Sequence, residues 1–218
     1  MSILNNIKTI ALAGLIAIGL IVQASPSSAA GTETLTVAGG CFWCVEADFE
    51  KVKGVKGAVS GFAGGKTANP TYKQVTAGGT GHYEAVQITF DPALISAGQL
   101  LDLFFRSVDP TDAGGQFCDR GPSYRTAIFA TGSQMSAAEQ AKTKAQADLG
   151  KKVVTPILSA GKFYPADAYH QNYAKSSKII LTRFGPKSKA NAYKAYRKSC
   201  GRDRRVKELW GSAAPFAG

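Results

Sequence analysis

Apolar and polar positions alternate along this chain in short blocks, and most blocks end at glycine or proline. Leu35-Thr36-Val37-Ala38 lies in a first predicted strand, Thr34–Ala38. After two glycines, Phe42, Val45, Phe49 and Val52 recur at spacings of three and four, the period of one helix face, which predicts a helix over 41–53. Ala58–Ala63 predicts strand two, with Gly54 and Gly57 marking the turn before it. Pro70 opens a short helix to Val75, and Tyr83–Phe90 predicts strand three, stopped by Asp91-Pro92. Ser96 and Gln99 form a capping box that starts a helix with Leu100, Leu101, Phe104 and Phe105 on its core face. Arg125–Ala130 predicts strand four. Ser136 and Glu139 form a second box, opening a polar helix that Gly150 stops near Leu149. Val153–Leu158 predicts a fifth strand. The order β-α-β, then β-α-β, fits an α/β (α+β) chain with a ferredoxin-like split βαβ plan, two layers deep. From about Phe163 onward the period fades, and that stretch is expected to wrap the domain as a long C-terminal extension.

Residues 1–30 stand apart from this pattern. Lys8 precedes an apolar run of thirteen residues, Ile10 to Val22, and then small residues through Ala30. The run is short for a membrane span, and the arrangement predicts a secretory signal peptide cut after Ala30. An uncleaved anchor is the less favoured alternative. The remainder, 31–218, is then one exported domain, expected in the periplasm of a bacterium and acting as a monomer. Hydrophobic residues make up 44% of the chain, enough for a sizeable core. The formal net charge is +11, of which residues 1–30 supply only Lys8. The basic residues are scattered, so a nucleic-acid role is disfavoured. The one dense cluster, Arg202, Arg204, Arg205 and Lys207, suits a solvated tail or helix face.

Cys41-Phe42-Trp43-Cys44 lies where strand one turns into helix one. A cysteine at a helix start meets unpaired N–H groups and the positive end of the dipole, which favour a thiolate. Cys41 is either an activated nucleophile or a small buried residue, and the stretch alone leaves both open. The other cysteines, Cys118 and Cys200, follow after gaps of 74 and 82 residues, too far apart for the paired spacing of a zinc site. Glu84 sits near the start of an otherwise apolar strand; pointed into a pocket, it becomes a usable proton donor. Asp119 and Tyr124 lie in a polar loop entering strand four. His170 lies in a polar-aromatic stretch, Tyr164 to Tyr173, where a structural hydrogen-bonding role is commoner than that of a base.

Together, Gly40 through Trp43, Asn69-Pro70-Thr71-Tyr72, Gly81-His82-Tyr83-Glu84, Asp119 through Arg125, Tyr164-Pro165-Ala166, Tyr169-His170-Gln171 and Cys200 through Asp203 closely resemble the peptide methionine sulfoxide reductases of the A type, which act on the S-epimer. The resemblance runs from about Thr34 to Gly211. It implies a two-layer sandwich and a thiol mechanism without metal or organic cofactor. Cys41 attacks the sulfoxide sulfur; Glu84 protonates the oxygen, which Tyr72 and Tyr124 also bind. Phe42 and Trp43 enclose the methyl group, and Asp119 holds the substrate's backbone amide. Cys41 becomes a sulfenic acid, a second cysteine resolves it, and a thioredoxin-like donor reduces the disulfide. The substrate is methionine sulfoxide, free or in oxidised proteins. The sequence departs from the commoner family pattern at Cys44, where glycine is usual. The resolving cysteine therefore has three candidates, ranked Cys200, Cys44 and Cys118. A general C-x-x-C disulfide oxidoreductase is the alternative activity, and an exported protein that binds methionine-like side chains without turnover a third reading.

Overall fold

A computed structural model of the chain describes residues 31–183 and 185–218. The predicted signal peptide or anchor lies outside these residues. A six-stranded sheet organises the fold. Its central strands are β1 (Glu33–Gly39), β2 (Val55–Ala63), β3 (Tyr83–Phe90) and β6 (Thr126–Ala130). They run in the order β6-β1-β3-β2, each antiparallel to its neighbour. Hence β1 and β2 run in the same direction with β3 between them, and α1 (Phe42–Phe49) makes the crossover. Two short edges widen the sheet: β7 (Ile157–Ser159), parallel to β6, and β8 (Tyr164–Pro165), antiparallel to β2. A hairpin of β4 (Gly115–Gln116) and β5 (Asp119–Arg120) carries the loop before β6.

Side chains alternate across a strand, so the sheet's two faces differ. Leu35, Val37, Val86, Ile88 and Ile128 share one large core with Phe42, Val45 and Phe49 of α1 and Leu100, Leu101 and Phe104 of α3 (Ala97–Phe105). The capping box at Ser96 and Gln99 starts α3 as expected. Helix α2 (Tyr72–Ala77) begins two residues later than Pro70, because Thr71 and Gln74 form a reciprocal box of their own.

Four expectations need correction. Helix α4 spans Met135–Leu149, so Ser136 is inside it and not its cap. The chain enters α4 from a 3₁₀ turn at Gly132–Gln134, whose start is tied by the Thr131 N–H donating to the Gln134 side chain. Gly150, at φ +60°, does end the helix. The fifth strand is only three residues long; Pro156, just before it, has no N–H to donate and joins the sheet only through its carbonyl, which accepts from the Ile128 N–H. Gly57 lies within β2, at an irregularity in its pairing, and helix one stops at Phe49 rather than running to 53.

The C-terminal segment is more ordered than its weak period suggests. After residue 163 it supplies β8, a hairpin of β9 (Ile179–Thr182) and β10 (Gly185–Ser188), and helices α5 (Lys189–Ser199) and α6 (Arg202–Trp210). Ser188 caps α5 by accepting from the Asn191 N–H, and Gly201 at φ +69° joins the two helices. Arg202 is not a solvated residue. It is 2% exposed and donates to the carbonyls of Gly39 and Ser107, pinning α6 to the end of β1. Its neighbour Arg205 pairs with Asp109 at 2.7 Å, while Arg204 stays exposed.

Losing the Arg202 guanidinium strands two buried carbonyls. Arg202→Met is expected to lower unfolding free energy by about 3 kcal/mol, measured by urea denaturation; Arg204→Met is expected to leave it within about 0.5 kcal/mol.

Candidate active site

The strand-to-helix turn depends on Gly40. Its φ is +80°, and a Cβ there would stand 2.6 Å from Cβ of Gln116. Gln116 is buried and bonds the backbone of Asp109 in both directions, so it has no room to yield. The tight turn puts Cys41 at the N-cap of α1, as the sequence predicts. Glu84 shares a strand face with Val86, Ile88 and Phe90, two residues apart each, and so points beneath α1 rather than to solvent. It is 2% exposed and accepts from the Phe42 N–H at 3.1 Å, one of the unpaired donors at the helix start.

Tyr72 from α2, Tyr124 from the turn before β6, and Asp119 from β5 complete the wall. With Cys41, Phe42, Trp43 and Glu84 they line a cavity of about 100 Å³. The structure thus gathers the candidate residues from four separate stretches of sequence. One lining residue escaped the sequence analysis: Tyr196, on α5, whose hydroxyl donates to the Asp119 carboxylate. The signal for it was faint, because α5 shows only a narrow buried stripe of Lys189, Ala192 and Tyr193.

The apolar side of the cavity is a continuous aromatic stack. Phe42 touches Phe62, Tyr72 and His170; Trp43 lies flat on Tyr173 with ring centres 3.7 Å apart. His170 is packed among these rings, and its Nδ1 has no hydrogen-bond partner among the described residues. Burial holds its pKa below the usual range. Its role is packing, in place of the hydrogen-bonding role expected of it. The hydrogen-bonding work in that stretch falls to Gln171, which pairs both ways with the Ser60 backbone. Glu46, one turn into α1, accepts from the Ser60 hydroxyl and the Asn172 N–H and so fixes the helix against this stretch. His82 accepts from the Gly65 N–H and holds the carbonyl of Thr67, which shapes the glycine loop before Glu84.

Burial governs the electrostatics. It pushes the Glu84 carboxyl up to about 8, against the opposing Phe42 hydrogen bond, so Glu84 carries a proton at neutral pH. Burial also raises Cys41, and the Cys44 sulfur, Glu84 and Asp119 add to it. The helix start therefore does not leave a resting thiolate at Cys41: removal from water outweighs it. Cys44 is the more acidic of the pair, lowered by its hydrogen bond with Cys41 and then by the fields of Arg202 and Arg197. Tyr72 and Tyr124 are raised mainly by burial and stay protonated donors.

The four cysteines separate into two pairs. Cys118 and Cys200 form a disulfide, while Cys41 and Cys44 are free and buried. Cys200, ranked first as resolving residue, is thus engaged with Cys118 in this state, and the thiol beside Cys41 is Cys44. The burial of both thiols also speaks against a general C-x-x-C oxidoreductase, whose pair must meet many partners.

Glu84 gives the fold a pH dependence of known sign. An acid raised from 4.5 to about 8 stabilises the folded state fully below about 4.5, and that contribution is lost as pH climbs to about 8. Thermal melts across this window are expected to show the parent chain losing stability relative to Glu84→Gln, with the difference flat above about pH 8. Parallel curves for the two proteins would contradict the buried acid.

The peptide methionine sulfoxide reductase family model matches residues 33–210. The chain is 48% identical over 197 residues to peptide methionine sulfoxide reductase MsrA 2 of Caulobacter vibrioides, covering 89% of this chain and 94% of that one. It is 44% identical over 183 residues to peptide methionine sulfoxide reductase MsrA of Bacillus subtilis, covering 83% and 97%. Among solved structures it is similar to Mxr1 from Saccharomyces cerevisiae in reduced form (TM-score 0.63, 32% identity, 66% of this chain and 85% of that one). It is also similar to methionine sulfoxide reductase A of Corynebacterium diphtheriae (TM-score 0.59, 34% identity, 66% and 74%). On its sequence from residue 33 to 210, and on the fold that carries it, this chain belongs to the peptide methionine sulfoxide reductase family.

Proposed function

We propose that the chain reduces the S-epimer of methionine sulfoxide, free or in oxidised proteins, with Cys41 as nucleophile and Cys44 as the cysteine that resolves it. The observation that carries this reading is the cavity in which Cys41 meets a protonated Glu84 and two tyrosine hydroxyls over an aromatic wall. The sulfoxide of methionine has one oxygen that accepts hydrogen bonds strongly and a small methyl group. Glu84, Tyr72 and Tyr124 suit the oxygen, and Phe42 and Trp43 suit the methyl. Asp119, held by Tyr196, is placed to accept from the substrate's backbone N–H.

The chemistry balances as follows. Glu84 passes its proton to the sulfoxide oxygen, which makes the sulfur electrophilic. Cys41 gives its proton to the Glu84 carboxylate as its sulfur bonds to the sulfoxide sulfur. In that adduct the protonated oxygen moves to the Cys41 sulfur as the substrate's S–O bond and the new S–S bond break, so methionine leaves and Cys41 is left as a sulfenic acid. The Cys44 thiolate then attacks the Cys41 sulfur, and the hydroxyl departs as water with one proton. Cys44 is one helical turn from Cys41 and packs in the same buried cluster, which favours it as the attacking group. A thioredoxin-like dithiol donor returns the pair to thiols. The pattern of residues 1–30 supports export, with this repair carried out in an oxidising compartment where Cys118–Cys200 persists. Among the described residues no helix is long and apolar enough to cross a membrane.

Cys41→Ser is expected to abolish release of methionine, and the R-epimer is expected to go unreduced by the parent enzyme. Cys44→Ala is expected to release about one methionine per enzyme in a single turnover, then stall without a small-molecule thiol. Peptide mass spectrometry after one turnover without reductant is expected to find Cys41 joined to Cys44; Cys41 joined to Cys118 or Cys200 would reassign the resolving residue. The profile of kcat/KM is expected to fall as pH rises through about 8, where Glu84 loses its proton.

A further inference from the structure

Asp119 sits on a hairpin too small to hold its own shape. Strands β4 and β5 are two residues each, paired at Gly115–Arg120 and Gln116–Asp119. A two-stranded ribbon of that size is not stable by itself in water. Gln116, buried against the backbone of Asp109, fixes the β4 side. The turn is Phe117-Cys118, with Phe117 at φ +55°, a left-handed conformation that bulky side chains rarely take. Asp119 follows this turn directly, on the β5 side, and its carboxylate lines the substrate cavity. Where that carboxylate stands therefore depends on what grips the turn from outside.

The end of α5 and the start of α6 grip three successive residues there. The Arg202 guanidinium lies over the Phe117 ring, 4.8 Å from its centre. Cys200 is bonded to Cys118, whose sulfur stands 4.0 Å from Oδ1 of Asp119. The Tyr196 hydroxyl donates to Oδ2 of Asp119. Tyr196 and Cys200 are one helical turn apart, and the Cys200 N–H donates to the Tyr196 carbonyl at 2.9 Å. The covalent bond and the hydrogen bond thus act at the two ends of a single rigid turn. A phenol on a carboxylate exchanges readily with water; a disulfide does not, and it keeps the phenol in reach. With Oδ2 taken by Tyr196, Oδ1 is left for the N–H of a substrate.

We propose that the Cys118–Cys200 disulfide is a positioning element of the substrate site: it keeps Tyr196 on the Asp119 carboxylate, and so sets the preference for sulfoxides that present a backbone N–H. This rests on the reading of Asp119 given above. The chemistry at Cys41 does not pass through it, because Glu84, Tyr72 and Tyr124 come from other segments than α5 and the Phe117-Cys118 turn. The two cysteine pairs then have separate tasks. Cys41 and Cys44 carry the electrons, while Cys118 and Cys200 stay joined through the cycle and hold the wall that reads the substrate's backbone.

The test uses the full chain carrying Cys118→Ser with Cys200→Ser, alone and combined with Asp119→Asn. Two substrates are compared: N-acetyl methionine sulfoxide N-methylamide, which has the backbone N–H, and methyl propyl sulfoxide, the same side chain without a backbone. Turnover is driven by reduced bacterial thioredoxin. The readout is kcat/KM, which covers only the steps through sulfide release and not the resolution of Cys41. Losing the disulfide is expected to lower it about tenfold for the amide and to leave it within about twofold for methyl propyl sulfoxide. In the Asp119→Asn background, losing the disulfide is expected to cost the amide nothing further. Tyr196→Phe, which keeps both the ring and the disulfide, is expected to act on the amide in the same direction. Mass spectrometry of the parent quenched during turnover is expected to find Cys118–Cys200 intact. Equal losses for both sulfoxides, or the same loss again in the Asp119→Asn background, would make the disulfide a staple of the fold alone and overturn the proposal. An amide kcat/KM unchanged without the disulfide or in Tyr196→Phe, or a bond found reduced throughout turnover, overturns it too. In those cases a loss in Asp119→Asn that is larger for the amide leaves the reading of Asp119 standing. Losses in Asp119→Asn that do not distinguish the two sulfoxides overturn both.

Discussion

One hydrogen bond ties the chemistry of this protein to its fold: the Phe42 N–H to the Glu84 carboxyl. It joins the first turn of the crossover helix to the middle strand of the sheet. The turn at Gly40 must be tight for the N–H to reach, and the glycine must approach Gln116 for the turn to be tight. The same bond costs Glu84 some of its hold on the proton, while burial gives that hold back with interest. The site is therefore set by opposing influences of the backbone and of water exclusion, and water exclusion prevails for both Glu84 and Cys41.

The resting cavity consequently carries little charge where the substrate's polar group enters. A neutral acid and two phenols present protons to an oxygen, and the nucleophile acquires its charge only as the sulfoxide becomes electrophilic. Keeping the charge off until that moment avoids the desolvation cost of a permanently buried thiolate. The C-terminal helices take part in this exclusion. Tyr196 closes one wall, and Arg197 reaches both carboxylate oxygens of the buried Asp48 behind Cys44. A segment that looks peripheral along the chain is thus part of what keeps the thiols dry.

The sequence was legible where periodicity was strong. Tyr83–Phe90 and the capped helix at Ser96 stand where the pattern placed them, and the residues named for Cys41, Glu84, Tyr72, Asp119 and Tyr124 meet in one cavity. What stayed hidden depends on contacts distant along the chain. Thr131 and Gln134 outcompete Ser136 for the start of α4, a contest between two adequate caps that spacing does not decide. Arg202 carries no mark that separates it from Arg204 until the carbonyls of Gly39 and Ser107 appear beside it. Tyr196 gains its role from Asp119, 77 residues earlier. The acidity expected of Cys41 failed for a related reason. Local sequence shows a helix terminus but not how thoroughly other segments exclude water from it.

The Cys118–Cys200 bond has a topological consequence. It closes a ring that contains the last part of the sheet, the β9–β10 hairpin and α5, its ends separated by 82 positions in sequence. On the chain-entropy account, a loop of that size restricts the unfolded chain by roughly 4–5 kcal/mol. A single peptide-bond cut anywhere inside the ring would leave the two pieces covalently joined. Helix α5, which bears Tyr196, would then remain tethered beside Asp119 after a nick that, in an uncrosslinked chain, would let it diffuse away.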